Sequence, residues 1–260
     1  MCTVSFLPLV GGAYLLGTNR DESPVRGHAR PPAVFQGPEG RSIMPLDPDA
    51  GGTWIRVDEY GRSLCILNGD QPVVPPPSEA PSRGTLVLEL SECATLTEMH
   101  HLLKGRHADG LLAQRAFKLL IAELGANGLS ATAALIEWNG RDVPRLWPLE
   151  GPCVLVSSAF DPAGVSAYRQ STFSCLSSMP TTDPDALAAA QSLWHASHAE
   201  DEPGGGTLSV CMHREEASTV SFTAVRVDAH RVQMTYQAGA PCEGARPVSV
   251  FLDTRGSRRR

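Results

Sequence analysis

The second residue of this chain is a cysteine, in the opening MCTVSFLPLV. Methionine removal favours a small second residue, and cysteine qualifies. With Met1 removed, Cys2 carries a thiol and a free α-amine. The amine's reference pKa of about 7.7–8.0 lets it take a proton from the thiol near neutral pH, so nucleophile and base arrive together without a histidine. The competing reading is a plain cysteine at a chain end, since cysteine usually serves as a small buried hydrophobe. A second polar group follows in Thr18-Asn19-Arg20-Asp21-Glu22. An arginine beside a cysteine favours thiolate over thiol. A carboxylate beside an α-amine accepts its hydrogen bonds and orients it. The alternative for this fragment is a polar strand exit with a local ion pair.

A hairpin brings the two fragments together. Short apolar runs flank Gly11-Gly12, and Gly-Gly is a favoured hairpin turn because both positions take positive φ. Strands are expected at about 3–9 and 13–18, which sets residues 3 and 20 roughly opposite each other. The same stretch is a poor signal peptide: no Lys or Arg precedes it and Pro8 interrupts it. At residues 4–17 it is also shorter than the ~20 a membrane span needs.

The remaining elements follow from periodicity and punctuation. A Pro-, Gly- and Arg-rich loop is expected from Ser23 to Asp49, then strands in GGTWIRV and GRSLCILNG joined by a turn around Glu59-Tyr60-Gly61. DQPVVPPPSEAPSRG reads as an extended loop, either a stiff connector or a lid over a pocket. Helices are expected at 85–94 and at 95–105, the second with a Thr95–Glu98 capping box and Gly105 near its end. Strands at 117–124, 132–138, 143–149 and 153–159 precede helices at 167–178 and 184–197. Strands at 208–213, 218–227 and 231–238 close the chain. Segregated runs without βαβα alternation predict an α+β fold with helices layered outside antiparallel or mixed sheets.

Composition fits one domain with a substantial core: 260 residues, 42% hydrophobic and 19% charged. We expect a single domain over 1–252 and a flexible basic tail over 253–260. A formal charge of −6 argues against nucleic-acid binding and against an acidic-membrane binder. The seven cysteines are odd in number, widely spaced and without CxxC, which suits neither a disulfide framework nor a zinc site. They fit a reducing compartment, so the expected location is cytoplasmic, without integral membrane segments.

Taken together, MCTVSF, GTNRDE, GGTW and LNG resemble the NRDE family, also called the transport and Golgi organisation protein family. That family is in turn similar to the N-terminal-nucleophile (Ntn) hydrolases, among them bile-salt hydrolases, penicillin V acylases and acyltransferases. The resemblance implies a four-layer α-β-β-α sandwich. It implies Cys2 as the nucleophile, with Arg20 and Asp21 flanking it. Asn68 is implied as an oxyanion donor through its side-chain amide together with a backbone N–H; as part of Asn-Gly it also reads as a turn residue. Asn19, Ser157 and Ser158 are implied as substrate contacts, the serine pair standing where those hydrolases carry a second asparagine. Arg214 and Arg226 are candidates for the late arginine of bile-salt hydrolases.

The implied function is N-terminal-cysteine hydrolysis or acyl transfer on a non-peptide amide or other acyl bond. The partner is then a small-molecule acyl or amide substrate; a homo-oligomer is also allowed. No resident cofactor or metal is expected. The alternative is a non-catalytic protein that binds or traffics lipid, acyl-CoA or haem, with Cys2 as a ligand to haem iron. Other signals are weaker. His195, His198, Glu200 and Asp201 read as solvated residues rather than metal ligands, and His100-His101 as solvated rather than a proton shuttle. Cys211-x-His213 would share one face of a strand, but nothing supplies an orienting third group. GGG at 204–206 precedes a strand, not a helix, so it is no phosphate loop.

Overall fold

The computed structural model describes residues 2–23, 25–70, 80–126, 129–180, 182–200, 202 and 205–255. Two antiparallel sheets form its centre. The first holds β1 (Cys2–Pro8), β2 (Tyr14–Glu22), β10 (Cys153–Ser157), β11 (Ser218–Val227), β12 (Arg231–Ala238) and β13 (Val248–Asp253), in the order β10-β1-β2-β11-β12-β13. The second runs β3 to β9 in sequence order: β3 (Arg30–Gly37), β4 (Gly40–Leu46), β5 (Ile55–Asp58), β6 (Arg62–Asn68), β7 (Phe117–Glu123), β8 (Thr132–Trp138) and β9 (Arg145–Leu149). Helices α1 (Arg83–Leu90) and α2 (Leu96–Ala108) cover the second sheet; α3 (Pro162–Ser177) and α4 (Pro184–His195) cover the first. This is the α-β-β-α sandwich.

Strand alternation makes the layers. Val4, Phe6, Tyr14 and Leu16 point between the sheets and join Leu64, Leu119, Val225 and Met234 in the larger core. Leu7 and Leu15 point the other way, against Val165, Phe173, Leu187 and Trp194 of α3 and α4. Cys2 packs at the edge of the inter-sheet core.

The β1–β2 hairpin forms, but its connection is longer than a two-residue turn. Val10–Gly12 makes a 3-10 turn, with Gly11 and Gly12 at φ 76° and 82° and Leu9 N–H donating to the Ala13 carbonyl at 2.8 Å. The register therefore pairs Cys2 with Arg20 and Thr3 with Asn19. That is one residue from the expected pairing of 3 with 20, and paired residues share a face.

Other boundaries also shift. The expected loop at 23–49 contains the β3–β4 hairpin. Pro31 and Pro32 are tolerated because β3 is an edge strand with a bulge between Arg30 and Ala33, where missing donors cost no ladder bond. Half of the capping box is present: Thr95 Oγ1 accepts from Glu98 N–H at 3.1 Å, while Glu98 Oε2 accepts from Ala94 N–H, one residue before the cap, at 2.7 Å. The helix runs through Gly105 to Ala108. Residues 208–213 form no strand; only an isolated bridge joins His213 to Ser218. Residues 253–255 of the expected tail are held in the fold. Asp253 belongs to β13, and Arg255 is bonded to Glu59 through its backbone N–H at 2.8 Å and its side chain at 3.3 Å. Residues 256–260 lie outside the described residues. No described helix is long and apolar enough to cross a membrane.

Candidate functional site

Cys2 opens β1, with Arg20 beside it on β2 and Ser157 beside it on β10. Its backbone N–H donates to Ser157 Oγ at 2.9 Å. The nitrogen that becomes an α-amine on loss of Met1 is thus already held by a hydroxyl. Cys2, Arg20, Asp21 and Asn68 all line one cavity of about 510 Å³ at the end of the two sheets.

Arg20 is buried on the inter-sheet face. Its Nη2 pairs with Asp47 Oδ2 at 2.9 Å, and its guanidinium lies over the Trp54 ring, 4.8 Å from the centroid. Arg26 pairs with the same Asp47 oxygen at 2.7 Å and with Glu22 at 3.2 Å. Arg20 is therefore a fixed charge, locked by an ion pair and a stacked ring.

Asp21 stands one residue on and is turned toward the helix layer. Its Oδ1 accepts from Thr219 Oγ1 at 2.7 Å. Burial pushes its carboxyl above the usual range, against the pull of Arg169, the chain-terminal ammonium and Thr219. Arg169 is fully buried on α3. It bonds Thr3 Oγ1 and the carbonyls of Thr207 (3.1 Å), Leu208 (3.3 Å) and Ser209 (2.5 Å).

The Cys2 thiol is pushed up, chiefly by burial. The chain-terminal ammonium, the Asp21 backbone N–H and Arg20 pull it down without overcoming that. Arg20 acts in the expected direction, favouring thiolate, but desolvation outweighs it and holds the thiol above its usual range.

Asn68 ends β6 and is half-buried at the cavity wall. Of the proline-rich segment, Ala80, Pro81 and Ser82 line the cavity, while 71–79 lie outside the described residues. Arg83, at the start of α1, and Arg115 complete that wall.

Three implied substrate contacts are placed elsewhere. Asn19 is fully buried on the helix side of the sheet. Its amide donates to the carbonyls of His195 and Val210, both at 2.8 Å, and its Oδ1 accepts from His195 Nδ1 at 3.1 Å. The strand's period of two turns it away from the cavity that Arg20 faces. Ser157 holds the Cys2 nitrogen rather than lining the cavity. Ser158 Oγ donates to the Phe160 carbonyl at 2.5 Å and accepts its N–H at 3.2 Å, closing a local turn.

His195 is not solvated. It is fully buried, and Nε2 lies 2.8 Å from Ser5 Oγ. Because Asn19 Oδ1 only accepts, Nδ1 carries the proton and Nε2 accepts from Ser5. Burial, helped by the Arg169 charge, pushes its pKa down to about 3. His198 and Glu200 are exposed, and Asp201 lies outside the described residues. His100 Nε2 bonds the Pro144 carbonyl at 2.9 Å.

Neither Arg214 nor Arg226 reaches the cavity: each forms a surface ion pair, with Glu216 at 3.1 Å and Asp185 at 2.5 Å respectively. Sequence reasoning missed Arg169, Asp47, Arg83 and Arg115. Trp54 had a signal, because GGTW was already singled out.

Cys2 thus opens an inner strand of an α-β-β-α sandwich at a cavity, and the sandwich is the fold of solved Ntn-hydrolases. Penicillin V acylase from Agrobacterium tumefaciens superposes with a TM-score of 0.58 at 14% identity, covering 96% of this chain and 86% of that one. The C2A mutant of conjugated bile acid hydrolase from Clostridium perfringens gives 0.60 at 12% identity, covering 96% and 92%. No curated protein sequence matches the chain. The family model of Transport and Golgi organisation 2 matches residues 1–225, and the chain belongs to that family.

Proposed function

We propose that the protein, once Met1 is removed, is an N-terminal-cysteine hydrolase or acyltransferase acting on a small amide or other non-peptide acyl bond. The observation that carries this reading is the junction at Cys2: its nitrogen is hydrogen-bonded to Ser157 while its residue lines a cavity shared with Arg20, Asp21 and Asn68.

The α-amine takes the thiol proton, and sulfur attacks the acyl carbon. The carbonyl electrons move to oxygen, where the Asn68 amide donates to the oxyanion; such a donor is typically worth ~10²–10³ in rate. As the tetrahedral intermediate collapses, the α-ammonium returns the proton to the leaving nitrogen or oxygen, and a thioester remains. Water or an acceptor amine attacks the thioester by the same route in reverse, giving its proton to the α-amine and then regenerating the thiol. Asp21 orients the ammonium, and Arg20 supplies fixed positive charge.

The described lining residues include four arginines and three acidic residues, of which Asp21 turns its carboxyl toward the helices, so the cavity favours a substrate that carries an anionic group beyond its acyl carbonyl. That charged lining gives less support to a haem carrier, which would bury a largely apolar porphyrin.

The test combines intact mass with an electrophilic acyl probe. The expected result is loss of the Met1 mass and stoichiometric labelling that disappears in Cys2→Ala. Retained Met1, or labelling unchanged in Cys2→Ala, overturns the proposal.

A further inference from the structure

Behind Asp21, the segment between α4 and β11 gathers residues that are far apart in sequence. Cys211 Sγ lies 3.5 Å from Cys242 Sγ and 3.7 Å from His213 Nε2. His213 Nε2 lies 3.0 Å from Cys242 Sγ. The His198 ring stands perpendicular to that of His213, with centroids 5.4 Å apart. One donor atom from each of the four residues falls within 4.8 Å of all the others.

We propose that His198, Cys211, His213 and Cys242 form a Cys₂His₂ site for a tetrahedral divalent cation of zinc type, separate from the acyl cavity. A tetrahedral ion with Zn–S of about 2.3 Å and Zn–N of about 2.0–2.1 Å sets its ligand atoms roughly 3.4–3.8 Å apart. The Cys211–Cys242 and Cys211–His213 contacts fall within that spacing, the His213–Cys242 contact is shorter, and the exposed His198 and Cys242 side chains have freedom to adjust the remainder. Two sulfurs and two imidazoles select zinc-like ions over magnesium or calcium, which take oxygen ligands. Binding replaces the two thiol protons, which leave to solvent, by two metal–sulfur bonds, with no change in oxidation state. The competing use of the cysteines, a disulfide, needs the sulfurs at about 2.05 Å and an oxidant; it leaves both imidazoles unexplained.

The site is structural in kind. Four protein ligands fill a tetrahedral shell and leave no open position for substrate. They also stand where the fold needs a staple. Among the described residues, the segment from Ser197 to Ala217 has no helix or strand. Its backbone is built around the two central ligands: Cys211 N–H donates to the Ser197 carbonyl at 3.0 Å, and His213 N–H to the Gly205 carbonyl at 2.6 Å. Gly205, at φ 90°, has no room for a side chain, because a Cβ there would stand 2.7 Å from the His213 ring. A cation would tie this segment to the 3-10 turn Pro241–Glu243, which carries Cys242. The tie reaches the acyl site: Met212 N–H donates to Thr219 Oγ1 at 2.9 Å, and that hydroxyl donates to Asp21. Spacing alone conceals the cluster, because Cys242 arrives from beyond two strands of the sheet, so the expectation of no zinc site is replaced by this proposal.

The experiment uses the full chain, stripped with chelator and reductant and titrated with cobalt(II). The expected result is one cobalt per chain, with a thiolate charge-transfer band and the strong visible bands of a tetrahedral ion, both bleached by zinc. Cys242→Ser and His198→Ala, at exposed positions, should keep the native circular dichroism and weaken uptake by about a hundredfold or more. Cys175→Ser and Cys2→Ala should retain it, which separates this site from the acyl chemistry. Absent stoichiometric uptake, bands unchanged in Cys242→Ser, or a Cys211–Cys242 disulfide that persists in reductant would each overturn the proposal.

Discussion

The four residues Asn19-Arg20-Asp21-Glu22 do different jobs because a strand turns neighbours to opposite faces. Arg20 shares the inter-sheet face with Cys2, while Asn19 and Asp21 look toward the helices. Asn19 is the structural member. Asn19→Ala strips two buried carbonyls and His195 of partners and should cost roughly 2–4 kcal/mol in a denaturant titration, with the Cys2 environment otherwise retained. Asp21 behaves in the opposite sense. Its folded carboxyl holds a proton more tightly than the unfolded one, so ionising it costs stability. That cost is absent below the unfolded pKa and fully present above the folded one. Asp21→Asn should therefore melt higher than wild type at neutral pH, and the gap should close toward acid. Its acyl labelling should fall about 10²-fold, the lower range for a lost proton-handling partner. The residue types in this tetrapeptide were legible as a polar group near Cys2. Their division between cavity and core was not, because it depends on a register that the turn sets.

At the level of elements, α4 is attached to the first sheet through a neutral histidine. His195 bridges Ser5 on β1 and Asn19 on β2, and Gln191 Nε2 donates to the same Ser5 hydroxyl at 2.9 Å. Its pKa is depressed to about 3, so the unfolded chain takes up a proton that the folded one refuses. The stabilising contribution is present above an unfolded value near 6.5 and is lost as pH falls toward 3. The slope is at most about 1.4 kcal/mol per pH unit from this group. Comparing the acid limb of thermal unfolding in wild type and His195→Gln checks this: the variant should lose the extra slope, though it starts from lower stability. The helix α4 itself was legible from its apolar pattern and from Pro184 after Asp183, which caps it through Ala186 N–H at 2.9 Å. The burial of His195 was not, since polar neighbours in sequence suggested solvent and tertiary packing supplied the opposite.

Across the whole molecule, the cavity at Cys2 lies where the ends of both sheets meet the start of α1, so its walls come from distant parts of the chain. Arg83 and Arg115 face it from beyond the ion-paired Arg20 and Arg26. For an anionic acyl substrate, Arg115→Ala should raise KM several-fold with kcat little changed, and raising the salt should narrow the difference from wild type. A neutral substrate should show neither effect. Steady-state kinetics at two ionic strengths separates these outcomes.

By itself the sequence determined the strand–helix order, the hairpin that returns Arg20 and Asp21 to Cys2, and the family, because these rest on local periodicity, glycine turns and contiguous motifs. Tertiary structure alone decided which face each polar residue takes, that burial overrides Arg20 at the thiol, and that Arg169, Asp47 and His195 share the site's surroundings. It also decided the gathering of two cysteines and two histidines behind Asp21. The physical reason is common to all of these: desolvation and long-range register are properties of the packed sheets, and no window of sequence contains them.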